Sequence, residues 1–200
     1  NKHIKDSDQY REILETFVRV GGLTLLGRGG VGKSHAAKMI LKILTEEMKK
    51  RVCVMGFTNK CMIQWLPYGG KTIHKTFGID IKTGQYDPAV IRRIMNNYDV
   101  VLIEEISMIP LDLWKIIYEL KISTGKQFIL VGNSGQLPPV DNSDFDIFKS
   151  SLLGYLTEYN CVELSVRKRY DLDLWNFSES FRDYGKKSNL NPPRDAKPTS

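Results

Sequence analysis

The sequence predicts an α/β protein in which a parallel β-sheet carries helices on both faces. Short apolar runs, each about as long as a buried strand, alternate with longer stretches whose apolar residues recur at helical spacing. A glycine-rich segment joins the first of these runs to the helix that follows it. The chain has 200 residues, of which 42% are hydrophobic, and this is enough for one domain with a buried core.

The elements are predicted in order along the chain. An amphipathic helix covers residues 4–19, with Asp8 as its cap, and an apolar strand at 23–26 follows. A helix then begins near Lys33 and reaches about Lys50. Later strands are predicted at 52–57, 100–103, 128–131 and 161–164, with short helices and loops over 61–98, a helix around 113–120 and a last helix at 171–184.

Residues 27–34 fill every fixed position of the phosphate-binding loop G-x-x-x-x-G-K-S. Backbone N–H groups of such a loop point at phosphate oxygens, and the following helix adds the partial positive charge of its N-terminus. Lys33 would reach the β- and γ-phosphates, and the Ser34 hydroxyl would bind Mg²⁺. The predicted nucleotide-binding residues of the loop are Gly27, Gly29, Gly30, Val31, Gly32, Lys33 and Ser34.

Two carboxylates end the apolar run at 100–103, at the strand end where open α/β sheets bind their ligands. Glu104 is predicted to help hold Mg²⁺, and Glu105 to orient or deprotonate the attacking water. Gln136 follows the next strand and is predicted to sense the γ-phosphate. The alternative is an exposed acidic pair at the start of a loop, and the phosphate-binding loop makes that alternative less favoured.

These motifs resemble those of superfamily 1 DNA helicases of the RecD/PIF-type branch. The resemblance covers about residues 8–182 and corresponds to the first RecA-like lobe of that family. The matching segments are 27–34, 57–61, 70–79, 104–108, 132–140 and 164–169, of which 104–108 and 132–140 are the most specific. The resemblance implies a RecA-like sheet, ATP hydrolysis with Mg²⁺ and translocation on single-stranded DNA.

The resemblance also assigns roles to side chains outside the loop. Gln9 would read the adenine, and an arginine would touch the γ-phosphate beside the catalytic Lys33, Glu105 and Gln136. Spacing favours Arg169 over Arg167 for that arginine. The predicted contacts with single-stranded nucleic acid are Thr58, Asn59, His74 and Lys75. Residues 1–20 would then form a helix with a glutamine motif, 21–184 an ATPase lobe, and 185–200 a disordered tail.

Some positions depart from the family pattern. Glu104 and Asn133 replace aspartates, and Asn59 and Cys61 replace small residues. The second RecA-like lobe of such a motor, an implied partner, is not found within these residues. A non-hydrolysing, nucleotide-gated binding module and a small-molecule kinase therefore stay as alternatives to the helicase lobe.

The composition indicates which cellular compartment and which kinds of partner to expect for the protein. No apolar run approaches the roughly 20 residues of a membrane span, so no membrane partner is expected. Three cysteines without metal-ligand spacing favour a reducing intracellular compartment. The net charge of +6 is weak evidence for nucleic-acid binding, because half of it lies in residues 186–200.

Overall fold

The computed structural model describes residues 2–27, 32–133, 145–164 and 172–174, and within these ranges a seven-stranded sheet forms the centre of the molecule. The strands lie in the order β3-β2-β4-β5-β1-β6-β7, and every neighbouring pair is parallel except β6 and β7. Their bounds are β1 (Gly22–Gly27), β2 (Val52–Gly56), β3 (Lys71–Thr72), β4 (Val100–Glu104), β5 (Gln127–Gly132), β6 (Cys161–Leu164) and β7 (Leu172–Leu174).

One helix precedes the first strand, and the others lie in the connections between strands. They are α1 (Lys2–Val20), α2 (Lys33–Lys42), α3 (Asn59–Met62), α4 (Ile73–Phe77), α5 (Pro88–Met95), α6 (Leu111–Thr124) and α7 (Ser151–Leu156). Helix α2 continues as a π-helical turn at Ile43–Glu47, and α3 continues as a 3-10 helix at Ile63–Tyr68. Within the described ranges, none of the helices combines the length and the apolar character that a membrane span needs.

The sheet separates two hydrophobic cores, because alternate side chains of a strand point to opposite faces. Val100 and Leu102 of β4 pack on one face with α1, α2 and the 3-10 helix that holds Trp65. Val101 and Ile103 pack on the other face with α4 to α7. By the same alternation, Glu104 points to the face of α2 and Trp65.

The predicted α/β class with both faces covered is confirmed, and the five predicted strands are present. The prediction of a helix over 171–184 was wrong at Leu172–Leu174, which pair with β6 as an antiparallel edge strand. Residues 175–184 lie outside the described residues. Asp8 does not cap α1, because the helix already begins at Lys2 and the Asp8 carboxylate pairs with Arg11 at 3.4 Å.

Candidate nucleotide and nucleic-acid site

The turn into α2 delivers two of the predicted nucleotide-binding side chains. Gly27 ends β1, and Gly32 precedes α2 with φ 81° and ψ 24°, a left-handed conformation that glycine adopts without steric cost. Lys33 and Ser34 therefore occupy the first turn of α2, at its positive end. Of the predicted loop residues, Gly29, Gly30 and Val31 lie outside the described residues.

Lys33 lies close enough to the two glutamates for their charges to affect its ionisation. Burial lowers the pKa of Lys33, and the charges of Glu104 and Glu105 act against that shift. Burial raises the pKa of Glu104 to about 7, with Lys33 as the main opposing influence. The structure thus brings the predicted lysine and carboxylates together, although they are about 70 residues apart in the sequence.

Glu105 has an unusual backbone at the end of β4. Its φ of 50° and ψ of 56° fall in the left-handed region, which costs a non-glycine residue roughly 1–2 kcal/mol. This conformation turns the chain out of the strand and leaves the side chain half-buried beside Lys33. Such strain is concentrated at functional sites, and here it falls on the predicted catalytic carboxylate.

The side chains at this strand end fit a hydrated magnesium ion. Glu104 is only 1% exposed, and its Oε2 has no hydrogen-bond partner among the described residues. A buried carboxylate oxygen without a donor is costly, so a cation or its water shell would satisfy it. The Ser34 hydroxyl and the carboxylates supply the oxygen ligands that Mg²⁺ prefers.

Two residues that were not predicted also reach this site. Gln64 Nε2 donates a hydrogen bond to Ser34 Oγ at 3.5 Å. The indole N–H of Trp65 lies toward Glu104 and slightly lowers the pKa of that carboxyl. The spacing of the buried Cys61, Met62 and Trp65 is helical and could have indicated a packed helix here, but nothing in it indicates Gln64.

The predicted nucleic-acid segments lie next to each other at the same edge of the sheet. Gly56 pairs with Thr72 in neighbouring parallel strands, and the rings of Phe57 and His74 lie 6.2 Å apart. Asn59 and Lys75 are exposed. Thr58 is half-buried, and its hydroxyl oxygen accepts a hydrogen bond from the Cys61 N–H at 3.1 Å, so it also caps α3.

The other predicted residues have different outcomes. Gln9 lies on α1 and is half-buried, and its Oε1 has no hydrogen-bond partner in the part of the chain that the structure describes. Arg11, on the next half-turn, pairs with Glu47 near the far end of α2 at 2.8 Å. Gln136 and Arg169 lie outside the described residues, so their predicted roles stay predictions.

Comparison with solved structures places the fold. The Pif1 helicase of Candida albicans matches 94% of this chain with 22% identity and a TM-score of 0.61. Bacteroides Pif1 bound to single-stranded DNA matches 78% with 24% identity and a TM-score of 0.57. Bacteroides sp. Pif1 in complex with ADP-AlF4 matches 80% with 23% identity and a TM-score of 0.58.

The chain spans less than half the length of these Pif1 structures, which it covers to 45%, 41% and 42%. At these identities the likeness shows the fold, and it confirms the predicted P-loop RecA-like architecture. A search of curated proteins finds no match. A family model described as an AAA domain matches residues 10–142, which is more than half of the chain. The protein therefore belongs to the AAA domain family and has the RecA-like fold that the Pif1 helicases contain.

Proposed function

We propose that this chain is the ATP-binding and hydrolysing lobe of a DNA helicase that translocates on single-stranded DNA. The observation that carries the proposal is the meeting of Lys33, at the start of α2, with Glu104 and Glu105 at the end of β4. The fold shared with Pif1 helicases supports it, since one of those structures holds ADP-AlF4 and another holds single-stranded DNA. A second RecA-like lobe, supplied from outside these residues, is part of the proposal.

Each side chain has a defined task in this scheme. The Lys33 ammonium would neutralise charge on the β- and γ-phosphates, and the backbone N–H groups at the start of α2 would bind their oxygens. Ser34 and Glu104 would hold Mg²⁺, which when bound screens the phosphate charge. Glu105 would accept the proton of the attacking water. Gln9 would accept a hydrogen bond from the adenine amino group, which would satisfy its buried Oε1.

A non-hydrolysing, nucleotide-gated binding module is the second candidate. The observation that favours it is the buried Glu104, whose pKa of about 7 leaves a large share of the carboxyl neutral near physiological pH. A neutral carboxyl is a poor magnesium ligand. A small-molecule kinase has less support, because it gives the adjoining segments at Thr58 and His74 no task.

We also propose an intracellular, reducing setting, with Cys53, Cys61 and Cys161 as free buried thiols.

Nucleotide binding by the full chain tests the proposal first. Lys33→Ala removes the cation from the phosphate site, so we expect the affinity for a fluorescent, non-hydrolysable ATP analogue to fall about 10- to 100-fold, as for loss of a hydrogen bond to a charged group. Lys42→Ala, an exposed lysine of the same helix, is the matched control and should bind like the parent chain. Equal binding by all three chains would contradict a nucleotide site at Lys33.

Turnover separates the candidate functions. Steady-state ATPase activity that rises with oligo(dT) and disappears in Glu105→Gln, while nucleotide binding remains, would support the hydrolysing lobe. Nucleotide binding without turnover, even when a second lobe is supplied, would support the binding module. Turnover that responds to a small metabolite and not to oligo(dT) would support the kinase.

A further inference from the structure

Residues 58–68, here called the bridge segment, consist of the N-cap residue Thr58 and one continuous helical piece. It begins at Thr58, runs through α3 and continues without a break through the 3-10 helix to Tyr68. Its first residues, Thr58 and Asn59, belong to the predicted nucleic-acid contacts. Its later residues, Gln64 and Trp65, reach the predicted magnesium ligands. The bridge segment therefore connects the predicted nucleic-acid contacts with the predicted magnesium ligands.

Gln64 contacts the predicted magnesium ligand on α2. Its Nε2 donates to Ser34 Oγ at 3.5 Å, although the two residues are 30 positions apart in the chain. A hydroxyl oxygen has two lone pairs, so Ser34 can accept from Gln64 and still offer a lone pair to a cation. A donor in this position orients a ligand in the way that outer-shell partners orient metal ligands in general.

Trp65 faces the second predicted ligand. Its side chain is fully buried, and its Nε1 has no hydrogen-bond partner among the described residues; the same holds for Glu104 Oε2. The two groups are close enough for the indole N–H to influence the carboxylate. A donor and an acceptor that are both buried and unpaired gain from a small approach that would join them.

The bridge segment is held tightly in place. A Cβ at Gly56 would lie 2.6 Å from Met62 Sδ, and one at Gly70 would lie 2.7 Å from Trp65 Cβ. The Gly70 N–H also donates to the Trp65 carbonyl at 3.0 Å. Lys38 of α2 places its Nζ 5.8 Å from the centre of the Trp65 ring. The segment is therefore packed closely against the ends of β2 and β3 and against α2.

We propose that Gln64 and Trp65 are positioning residues for the magnesium site. Gln64 orients the Ser34 hydroxyl, and Trp65 orients the Glu104 carboxylate. Because both belong to the bridge segment, they couple the metal site to the nucleic-acid contacts that begin at Thr58. This inference rests on the proposed function and names the residues that connect its two binding sites.

The magnesium dependence of nucleotide binding tests the inference in the full chain. A fluorescent, non-hydrolysable ATP analogue is titrated at a series of Mg²⁺ concentrations, and again with saturating oligo(dT). For Gln64→Ala and for Trp65→Phe we expect the Mg²⁺ concentration at half-maximal binding to rise about 3- to 10-fold, as for one lost hydrogen bond. Binding without Mg²⁺ should be unchanged, and the effect of oligo(dT) on nucleotide affinity should shrink.

Ile63→Ala is the matched control, because Ile63 lies in the same 3-10 helix and is 64% exposed. It should titrate like the parent chain. Trp65→Phe keeps an aromatic ring in the core, and Gln64→Ala changes an exposed side chain. If Trp65→Phe melts at a lower temperature than the parent, the result for Gln64→Ala decides whether the inference holds.

The outcomes separate this inference from the proposed function. If the parent binds nucleotide, Lys33→Ala binds it more weakly, and both bridge variants match Ile63→Ala, only the positioning role is overturned. A parent chain that binds no nucleotide would overturn the proposed function and the inference together. A selective rise in the required Mg²⁺ concentration in Gln64→Ala supports the inference.

Discussion

At the residue scale, burial of the Glu104 carboxylate lowers the stability of the fold at the position where that carboxylate is predicted to bind a cation. Its carboxyl is buried between the end of β4 and Trp65, and its pKa of about 7 lies well above the usual 4.5. The folded chain therefore holds a proton between these two pH values that the unfolded chain has lost. Stability from this group is fully present below about pH 4.5 and is lost as the pH rises through 7.

Glu104→Gln should remove this pH dependence. Since a tenfold change in an equilibrium constant corresponds to about 1.4 kcal/mol, the glutamate costs the nucleotide-free fold at most about 3 kcal/mol above pH 7. We expect the variant to gain in free energy of unfolding relative to the parent as the pH rises from 5 to 8. The loss of attraction to Lys33 will reduce the gain. Urea unfolding without Mg²⁺ at several pH values measures it.

Glu119→Gln serves as the control for this series, because Glu119 is an exposed carboxylate on α6. Its difference from the parent should stay flat over the same pH range. Parallel curves for Glu104→Gln and the parent would show that Glu104 titrates like an exposed carboxylate, and the case for a cation position beside it would weaken.

At the element scale, a buried polar pair fixes β1 against the end of α7. The hydroxyls of Thr24 and Thr157 lie 2.7 Å apart, and Thr157 Oγ1 also donates to the Leu153 carbonyl at 2.8 Å. Thr157 has only one proton, so Thr24 is the donor in the pair. Next to them, Asn160 Nδ2 donates to the Gly22 carbonyl at 2.9 Å. These bonds hold the strand that leads into the phosphate-binding loop.

Thr157→Val should cost about 1–3 kcal/mol, because it leaves the buried Thr24 hydroxyl without its acceptor. Thr24→Val should cost less, since Thr157 keeps its bond to Leu153. The double variant should lose less than the sum of the two, as expected for partners in one network. Urea unfolding of the three variants completes the cycle, and simple additivity would contradict the pairing.

The elements that could be predicted are those with a complete local signal. The apolar runs that become β1 and β4, and the helix that begins at Lys33, combine composition with period, and the structure confirms these three elements. Residues 28–31 of the loop between β1 and α2 lie outside the described residues. The two-residue strand β3 has no such signal, because it exists only through pairing with the end of β2. Leu172–Leu174 form a strand because the edge of β6 is available to them, which is a tertiary effect.

The predicted site residues also divide into those that local sequence patterns indicate and those that depend on tertiary packing. Lys33, Glu104 and Glu105 could be brought together in advance, since helix starts and strand ends of a parallel sheet share one edge. The left-handed backbone of Glu105 and the contact from Gln64 to Ser34 could not, because they depend on how distant segments pack. Local patterns thus predict which side chains meet at the site, while packing determines how these side chains are held.

At the scale of the whole molecule, the predicted nucleotide-binding side chains and the predicted nucleic-acid segments lie at one edge of one sheet. Parallel strands place their carboxyl ends together, so β2, β3 and β4 present Thr58, His74 and Glu104 along a continuous line. The net charge of +6 is too small to hold DNA by itself. Affinity for a single strand must then depend on where the cations lie.

Lys75→Ala and Lys82→Ala test this dependence, because each lowers the net charge by one. Lys75 is exposed on α4, among the predicted contacts with single-stranded nucleic acid, and Lys82 is exposed in the turn that follows Asp80. If Lys75 contacts a phosphate, its loss should weaken binding to oligo(dT) and reduce the slope of log affinity against log salt by about 0.7. Fluorescence anisotropy at several salt concentrations measures the slope.

Lys82→Ala should leave the slope unchanged, and both variants should bind the ATP analogue like the parent. Equal slopes for the two variants would mean that the whole charge, and not this edge of the sheet, attracts the strand.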